Sequence, residues 1–342
     1  MTKLRIHRFE NEKWGRYHLP WMKKFANYLM HEHDVVENPF DVEVINYNKD
    51  GKTFSGRINM QTNIGEFGKT PPLSDVDCVY ENLDTGKFAV TSAGKYFTSH
   101  VVHYAKSDLC TGIACGHFSQ RYMKEHLKRN HLLHKLDIVH PWFFGFFQDF
   151  DVDHYRSIRD NCSERTDGLF FKGGGWKGAS DLAYRNVITI LYNDGYLDPN
   201  SVRFDVYLTQ LAKQGIAVSH YMDLDRFTAA NKYPGEMCYR DIEMMAIGVP
   251  FIRVEYKSEV MGGFKPDYHY ISIPREDAVV AHNKHQHRGV ADLIIQKFNE
   301  IKNDQGFLDF ISTNQRKWYD EYMRWPVSAV KTMQLLKMDI WN

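Results

Sequence analysis

Arg240 and Glu243 stand three residues apart in the stretch YPGEMCYRDIEMMAIGVPFIRVEY, residues 233–256. That spacing puts both side chains on one helical face. Tyr233-Pro234-Gly235 is a turn signal, and Glu236 follows where a helix N-terminus favours negative charge. The free amides of such an end attract anions, so an Arg there suits a diphosphate and a Glu suits a sugar or ribose hydroxyl. A surface ion pair has the same spacing, and both readings stand. Met237, Met244, Ala246 and Ile247 line an apolar stripe, Gly248 and Pro250 stop the helix, and Phe251-Ile252-Arg253-Val254 reads as a buried strand.

A second candidate is the run Lys172-Gly173-Gly174-Gly175-Trp176-Lys177-Gly178, between the apolar Gly168–Phe171 and a helical pattern capped by Ser180 or Asp181. Strand, glycine run and capped helix together cradle phosphate. Gly173 and Gly178 have Walker spacing, but Ala179 stands where that motif needs Lys, and there is no GxGxxG. A P-loop ATPase is a poor match. In the looser reading Lys172 or Lys177 touches phosphate, while a tight turn with solvated lysines fits equally.

For a general base, Asp75 and Asp77 come first. They lie just ahead of a strand and just after a Gly/Pro-rich loop, where a carboxylate can take a proton from an attacking hydroxyl. Asp108, His117 and Asp149, near other strand ends, are the alternatives. Metal signals are weak. His282, His285 and His287 sit among Asn283, Lys284 and Gln286 and read as solvated loop histidines, and Cys110 and Cys115 lack a second pair. Asp223-Leu224-Asp225 has the DxD form of metal-dependent sugar transferases, the one contrary sign.

These groups need a scaffold. At 342 residues the chain exceeds one ordinary core and predicts two domains. Its zero formal net charge argues against a nucleic-acid footprint or a polybasic membrane patch. Five irregularly spaced cysteines suggest a reducing compartment. No 18-residue apolar stretch or secretory h-region is present, so a cytoplasmic protein without a membrane span is expected. The aromatic content of 14% suits stacking on a base or sugar as well as core packing.

Strands are expected at 41–45, 76–80, 87–91, 140–147, 168–171, 203–208, 215–221, 251–254 and 268–273. The Asn82–Gly86 turn is read as a hairpin between 76–80 and 87–91, and 58–72 as a loop. Helices are expected at 20–33, 118–136, 182–191, 289–303, 305–323 and 327–338. The polar stretch 148–166 marks the domain boundary. Any nucleotide would then bind the second domain and the acceptor the first, as in an enzyme built from two Rossmann-like halves.

Over residues 168–320 the chain resembles the protein O-glucosyltransferase and capsule-associated xylosyltransferase family. Phe170-Phe171-Lys172-Gly173 and Arg185 are similar to the family's Phe-Phe-Arg-Gly and following helix Arg. Asp223, Phe227, Gly235 and Cys238-Tyr239-Arg240 follow in the family's order, then Gly248, Val249–Ile252 and His269-Tyr270. Lys172 replaces the family's Arg and Cys238 its Ser. The family's secretory signal and retention tail have no counterpart, which points to cytosolic relatives of the kind encoded by large DNA viruses of algae or by bacteria.

The resemblance implies an α/β protein of GT-B fold, two Rossmann-like domains facing a cleft. The expected parts are an acceptor side at 1–155, a donor side at 156–315, and helices at 316–342 packing back on the first domain. It implies transfer of glucose, xylose or a similar sugar from a UDP-linked donor to a glycan or protein hydroxyl. Lys172, Gly173, Gly174, Lys177, Arg185, Asp223, Phe227, Gly235, Tyr239, Arg240 and Glu243 would form the donor site, with Arg240 replacing a metal. Arg240→Ala is expected to weaken UDP binding and to leave the melting point nearly unchanged. The rivals are a noncatalytic carbohydrate- or nucleotide-binding protein on a degenerate GT-B scaffold, and a sulfo- or phosphotransferase using the glycine loop.

Overall fold

The computed structural model describes residues 2–9, 40–47, 52–57, 62–66, 78–80, 94–97, 101–115, 120–141, 151–171, 183–197, 204–219, 239–256, 260–325 and 327–335. The chain forms two compact units. One is Met1–Phe150 with Met323–Asn342, the other Asp151–Tyr322.

The first unit holds β1 (Thr2–Phe9), β2 (Phe40–Tyr47), β3 (Lys52–Arg57), β4 (Thr62–Glu66), β5 (Cys78–Tyr80), β6 (Gly94–Phe97), β7 (Cys110–Cys115) and β8 (Val139–Pro141). They make one sheet in the order β4-β3-β2-β1-β5-β6-β7-β8. From β2 through β1 to β8 every pairing is parallel, and β3 and β4 add an antiparallel edge. The chain winds outward from β1 in both directions, the doubly wound order that alternating strand and crossover segments produce. Helices α1 (Val101–Ala105) and α2 (Gln120–Arg129) bury Val101, Tyr104, Met123 and Leu127 with Ile113 of β7 and Val139 of β8.

Two expectations fail in this unit. The loop at 58–72 contains β4, which needs only β3 as a neighbour and so tolerates its Asn and Gly. No hairpin joins 76–80 to 87–91, because β1 and β6 occupy both edges of β5 in parallel pairings. The expected strand at 87–91 and helix at 20–33 lie outside the described residues, as does most of the aromatic run after Pro141.

The second unit runs α3 (Val152–Asp160), β9 (Thr166–Phe170), α4 (Ala183–Asn193), α5 (Phe204–Ala212), β10 (Gln214–Val218), α6 (Tyr239–Ile247), β11 (Phe251–Val254), β12 (Ile271–Ile273), α7 (Arg275–Ile301) and α8 (Gln305–Tyr322). The chain then returns to the first unit with α9 (Val327–Leu335). The sheet is all parallel in the order β12-β11-β10-β9. β11 and β12 are buried along their whole length and β9 and β10 towards their C-terminal ends, as helices on both sides require. Leu169, Ile216, Ile252, Val254 and Ile271 pack with Val187, Ile188 and Leu191 of α4 and Val290, Ile294 and Phe298 of α7. Each such side chain contributes about 1.5–3 kcal/mol when fully buried.

The strand expected at 203–208 is instead the start of α5. Tyr207, Leu208 and Leu211 are buried while Val206 is exposed, a helical rather than an alternating period. His282, His285 and His287 lie on α7, not in a loop. That helix breaks at His285 and Gln286, where Gln286 takes φ 51°. Among the described residues no helix is long and apolar enough to cross a membrane, and no group of three or more His, Cys, Asp and Glu side chains is arranged to hold a metal.

Candidate functional site

Because α6 runs from the C-terminal ends of the parallel strands back to their N-terminal ends, its first turn lies at the edge where open α/β sheets bind ligands. The far end of α6 is fastened by side chains. Gly248 takes φ 84°, and its N–H and that of Val249 both donate to the Met244 carbonyl at 2.8 Å. A Cβ at 248 would fall 2.4 Å from Arg316 Nε, so only glycine fits. Arg156 of α3 donates to the Ala246 carbonyl (2.7 Å), Arg316 of α8 to that of Ile247 (2.9 Å), and Ser312 to that of Gly248 (2.6 Å). The two arginines also bond across to each other's helices, Arg156 to Asp320 at 2.9 Å and Arg316 to Asp160 at 2.7 and 3.0 Å.

The first turn of α6 is fastened by a buried charge network. Asp241 and Arg253 form an ion pair with both side chains 0% exposed. Asp241 also accepts from the Ser219 hydroxyl just past β10 (2.6 Å) and from the Tyr256 hydroxyl (2.9 Å). Arg253 donates through Nε to the Val254 carbonyl and lies 3.6 Å over the Tyr256 ring. These contacts tie the start of α6 to the ends of β10 and β11. None was assigned from the sequence, although an Arg inside the apolar run Phe251–Val254 signals that a carboxylate must be buried with it.

On this base sit the two residues first singled out. Arg240 Nη1 donates to Glu243 Oε2 at 3.0 Å, and the Tyr207 hydroxyl of α5 donates to the same oxygen at 2.8 Å. The Arg240 guanidinium lies 4.2 Å over the Tyr207 ring. Glu243 is 3% exposed and Arg240 24%, so this pair is no surface ion pair; its acid is sunk in the protein and its base reaches solvent. Burial pushes the Glu243 carboxyl up, against the pull of Arg240 and the Tyr207 hydrogen bond. Burial also works against the Arg240 charge, but Tyr207 and Glu243 outweigh it and hold its pKa above the ordinary value. Among the described residues Glu243 Oε1 receives no hydrogen bond. Phe170, the last residue of β9, stacks on Tyr207 with ring centroids 5.9 Å apart. The backbone that leads into the glycine run therefore leaves the sheet one ring away from the Arg240–Glu243 pair.

Other expected site residues are placed only in part. Tyr239 is the first residue of α6, and Arg185 is the third of α4. Lys172, Gly173, Gly174, Lys177, Asp223, Phe227 and Gly235 lie outside the described residues, as do Asp75, Asp77, His117 and Asp149. Asp108 is exposed and bonded to Lys135 at 3.0 Å. Cys110 and Cys115 are buried at the two ends of β7, and neither is in a disulfide.

No family model and no curated protein matches the sequence. Solved structures do. A glycosyltransferase from Rickettsia africae aligns over 100% of this chain and 99% of its own at TM-score 0.55 and 10% identity. HepE of Anabaena, in complex with UDP, aligns over 99% and 100% at TM-score 0.56 and 11% identity. Sucrose-phosphate synthase from Thermosynechococcus elongatus aligns over 98% of each chain at TM-score 0.53 and 11% identity. The fold is GT-B. HepE is also matched as its UDP-glucose complex, at TM-score 0.51 and 12% identity.

In this GT-B chain the His269-Tyr270 pair precedes β12 and so lies at the edge of the sheet opposite the first turn of α6. His269 is 7% exposed, its Nδ1 accepts from the Lys265 N–H at 2.8 Å, and its ring stacks on Phe264. Burial, helped by Lys265, pushes its pKa from 6.5 down to about 4. The folded state thus prefers neutral His269, and that stability is present above pH 6.5 and lost as pH falls towards 4. Melting temperatures measured from pH 7 to pH 5 should fall less in His269→Phe than in the wild type. Equal slopes would show that His269 is not a source of the acid sensitivity.

Proposed function

We propose that this protein is a glycosyltransferase that moves a sugar from a nucleotide-sugar, UDP-linked, to a hydroxyl of a glycan or glycoprotein. The observation that carries the reading is the cluster of Arg240 and Glu243, in the first two turns of α6, with Tyr207 of α5, at the ligand-binding edge of a parallel sheet in a GT-B fold. UDP and UDP-glucose complexes among the structural neighbours support the choice of nucleotide. Arg240 would swing its fork from Glu243 onto the diphosphate, next to the free amides of the helix end, and stabilise the leaving charge without a metal. Lys172, Lys177, Arg185 and the amides of Gly173, Gly174 and Gly235 would share that charge. Glu243 Oε1 would accept a ribose or sugar hydroxyl, with Asp223, Phe227 and Tyr239 enclosing the donor.

The first unit would hold the acceptor, with Asp75 or Asp77 taking the proton of the attacking hydroxyl. Both precede the N-terminal end of β5, whereas His117 follows the C-terminal end of β7, the edge where catalytic groups gather. His117 is the alternative that this position favours. Cys110, Cys115 and Cys162, none of them in a disulfide, support action in the cytoplasm.

A thermal-shift screen of UDP, GDP, CMP and ADP tests the donor. The correct nucleotide at 100 times its dissociation constant should add about 2.7 kcal/mol of stability. Turnover of UDP-glucose or UDP-xylose should persist in EDTA and vanish in Asp75→Asn, Asp77→Asn or His117→Gln while UDP binding remains. Nucleotide binding without turnover of any sugar would make the chain a noncatalytic binding protein. No shift with any nucleotide would overturn the donor site.

A further inference from the structure

Zero net charge over the whole chain hides a local excess. Residues 101–141 hold Lys106, Arg121, Lys124, Lys128, Arg129 and Lys135 against three acids, while acids outnumber Lys and Arg 40 to 37 in the remainder. Part of this excess stands on the outer face of α2, whose inner face is fixed by buried Met123 and Leu127. Lys124, Glu125, Lys128 and Arg129 are all exposed. Lys124 and Lys128 are one turn apart and so share a face. Glu125 stands 3.9 Å from Arg129 with both side chains more than half exposed, where water screens most of the attraction.

The end of α2 adds apolar surface to these charges. The Leu132 N–H donates to the Leu127 carbonyl at 2.8 Å, which folds the chain back against the last turn of the helix. A 3-10 turn, Leu133–Ile138, follows, and Lys135 within it donates to Asp108 at 3.0 Å. That bond ties the turn to the segment that enters β7. Each of the two tied segments carries a large apolar side chain in solvent: Leu133 is 40% exposed and Leu109 41%. Lys106, also exposed, lies three residues before Leu109. Exposed leucines beside lysines and an arginine suit a lipid interface, where the leucines and the lysine stems meet acyl chains and the charges meet phosphates. A soluble polyanion would use the charges and leave the leucines in water.

We propose that this corner of the first unit docks on an anionic lipid surface, with Lys106, Lys124, Lys128 and Arg129 among the headgroup phosphates and Leu109 and Leu133 just below them. The acidic excess in the rest of the chain would help turn this corner towards such a surface. Leu109 precedes β7 and His117 follows it, so docking here does not use the end of the strand where the acceptor would react. The site does not depend on the nucleotide reading: a protein that fails to bind UDP should still bind lipid here.

Flotation with vesicles tests it, one set of phosphatidylcholine alone and one with about 30% phosphatidylglycerol, at about 0.1 M NaCl, where the screening length is about 10 Å. The protein should float with the anionic vesicles and not with the neutral ones. Each Lys near an anionic surface is worth roughly fivefold in binding, so Lys124→Ala, Lys128→Ala should weaken it roughly 25-fold. Lys284→Ala, Lys302→Ala, at two exposed positions of the second unit, should leave it unchanged. Leu109→Ser, Leu133→Ser should weaken vesicle binding about threefold or more and leave retention on heparin, a soluble polyanion, as in the wild type. No vesicle binding, equal binding to neutral lipid, or binding that survives loss of the two α2 lysines would overturn the proposal. Vesicle binding untouched by the serine pair would overturn it as well and assign the charges to a soluble polyanion.

Discussion

Replacing Asp241 with Ala should destabilise the second unit by about 3–5 kcal/mol, because it leaves the guanidinium of Arg253 buried without its carboxylate. Its other contacts include the Val254 carbonyl, a long contact to Ser219 at 3.4 Å and the Tyr256 ring. None of these neutralises a charge. Ser219 and Tyr256 would at the same time lose the acceptor for their hydroxyls. For a unit of this size the melting temperature moves about 2–4 °C per kcal/mol, so the expected fall is roughly 6–20 °C. Asp241→Asn keeps hydrogen-bonding capacity without the charge and should fall in between. The double change Asp241→Leu, Arg253→Met removes both charges and should recover most of the loss, since a well-packed apolar pair often replaces a buried ion pair at little cost. A single-variant loss below about 1 kcal/mol would mean that Arg253 finds solvent or another acid when Asp241 is gone.

Arg240→Ala should weaken UDP binding about tenfold or more, a loss of at least 1.4 kcal/mol, and lower sugar transfer further. A hydrogen bond to a charged group is worth about 1.5–3 kcal/mol, and the charge on the diphosphate grows as the sugar leaves. Arg240→Lys should recover only part of the affinity, because a point charge cannot reproduce the two-pronged fork. The melting point should not stay level, contrary to what the sequence suggests. Glu243 is buried, and without Arg240 its carboxyl keeps, among the described residues, only the Tyr207 hydroxyl as a hydrogen-bond donor. Arg240→Ala, Glu243→Gln should restore the melting temperature but not the affinity, which separates the two roles. If calorimetry found the single variant binding UDP as the wild type does, Arg240 would serve Glu243 alone and the donor site would lie elsewhere.

What could be read from the sequence was local. The α6–β11 step announced itself through Gly248, Pro250 and the apolar run after them, and the structure adds the reason for the glycine: Arg316 fills the space where a side chain would go. Its chemistry was legible as residue types. The depth of Glu243 was not, because Tyr207 lies 36 positions away on a segment read as a strand. The histidines of α7 looked like a loop because His285 and its neighbours face water, and an exposed helical turn has a loop's composition. The salt links between α3 and α8 join residues more than 150 positions apart, and no spacing rule reaches that far.

Those links also set a timetable. Arg156 and Asp320 are separated by 164 positions, and a chain grows at about 5–20 residues per second. On a ribosome, α3 is therefore complete roughly 8–33 s before the helix that must close over the last carbonyls of α6. Until then Gly248 lacks Arg316 and Ser312, and of the side chains that fasten the far end of α6 only Arg156 of α3, on the Ala246 carbonyl, has been made. The nascent second unit is a sheet waiting for its clasp, and its contacts are of the non-local kind that fold slowly and leave apolar surface open to capture by chaperones.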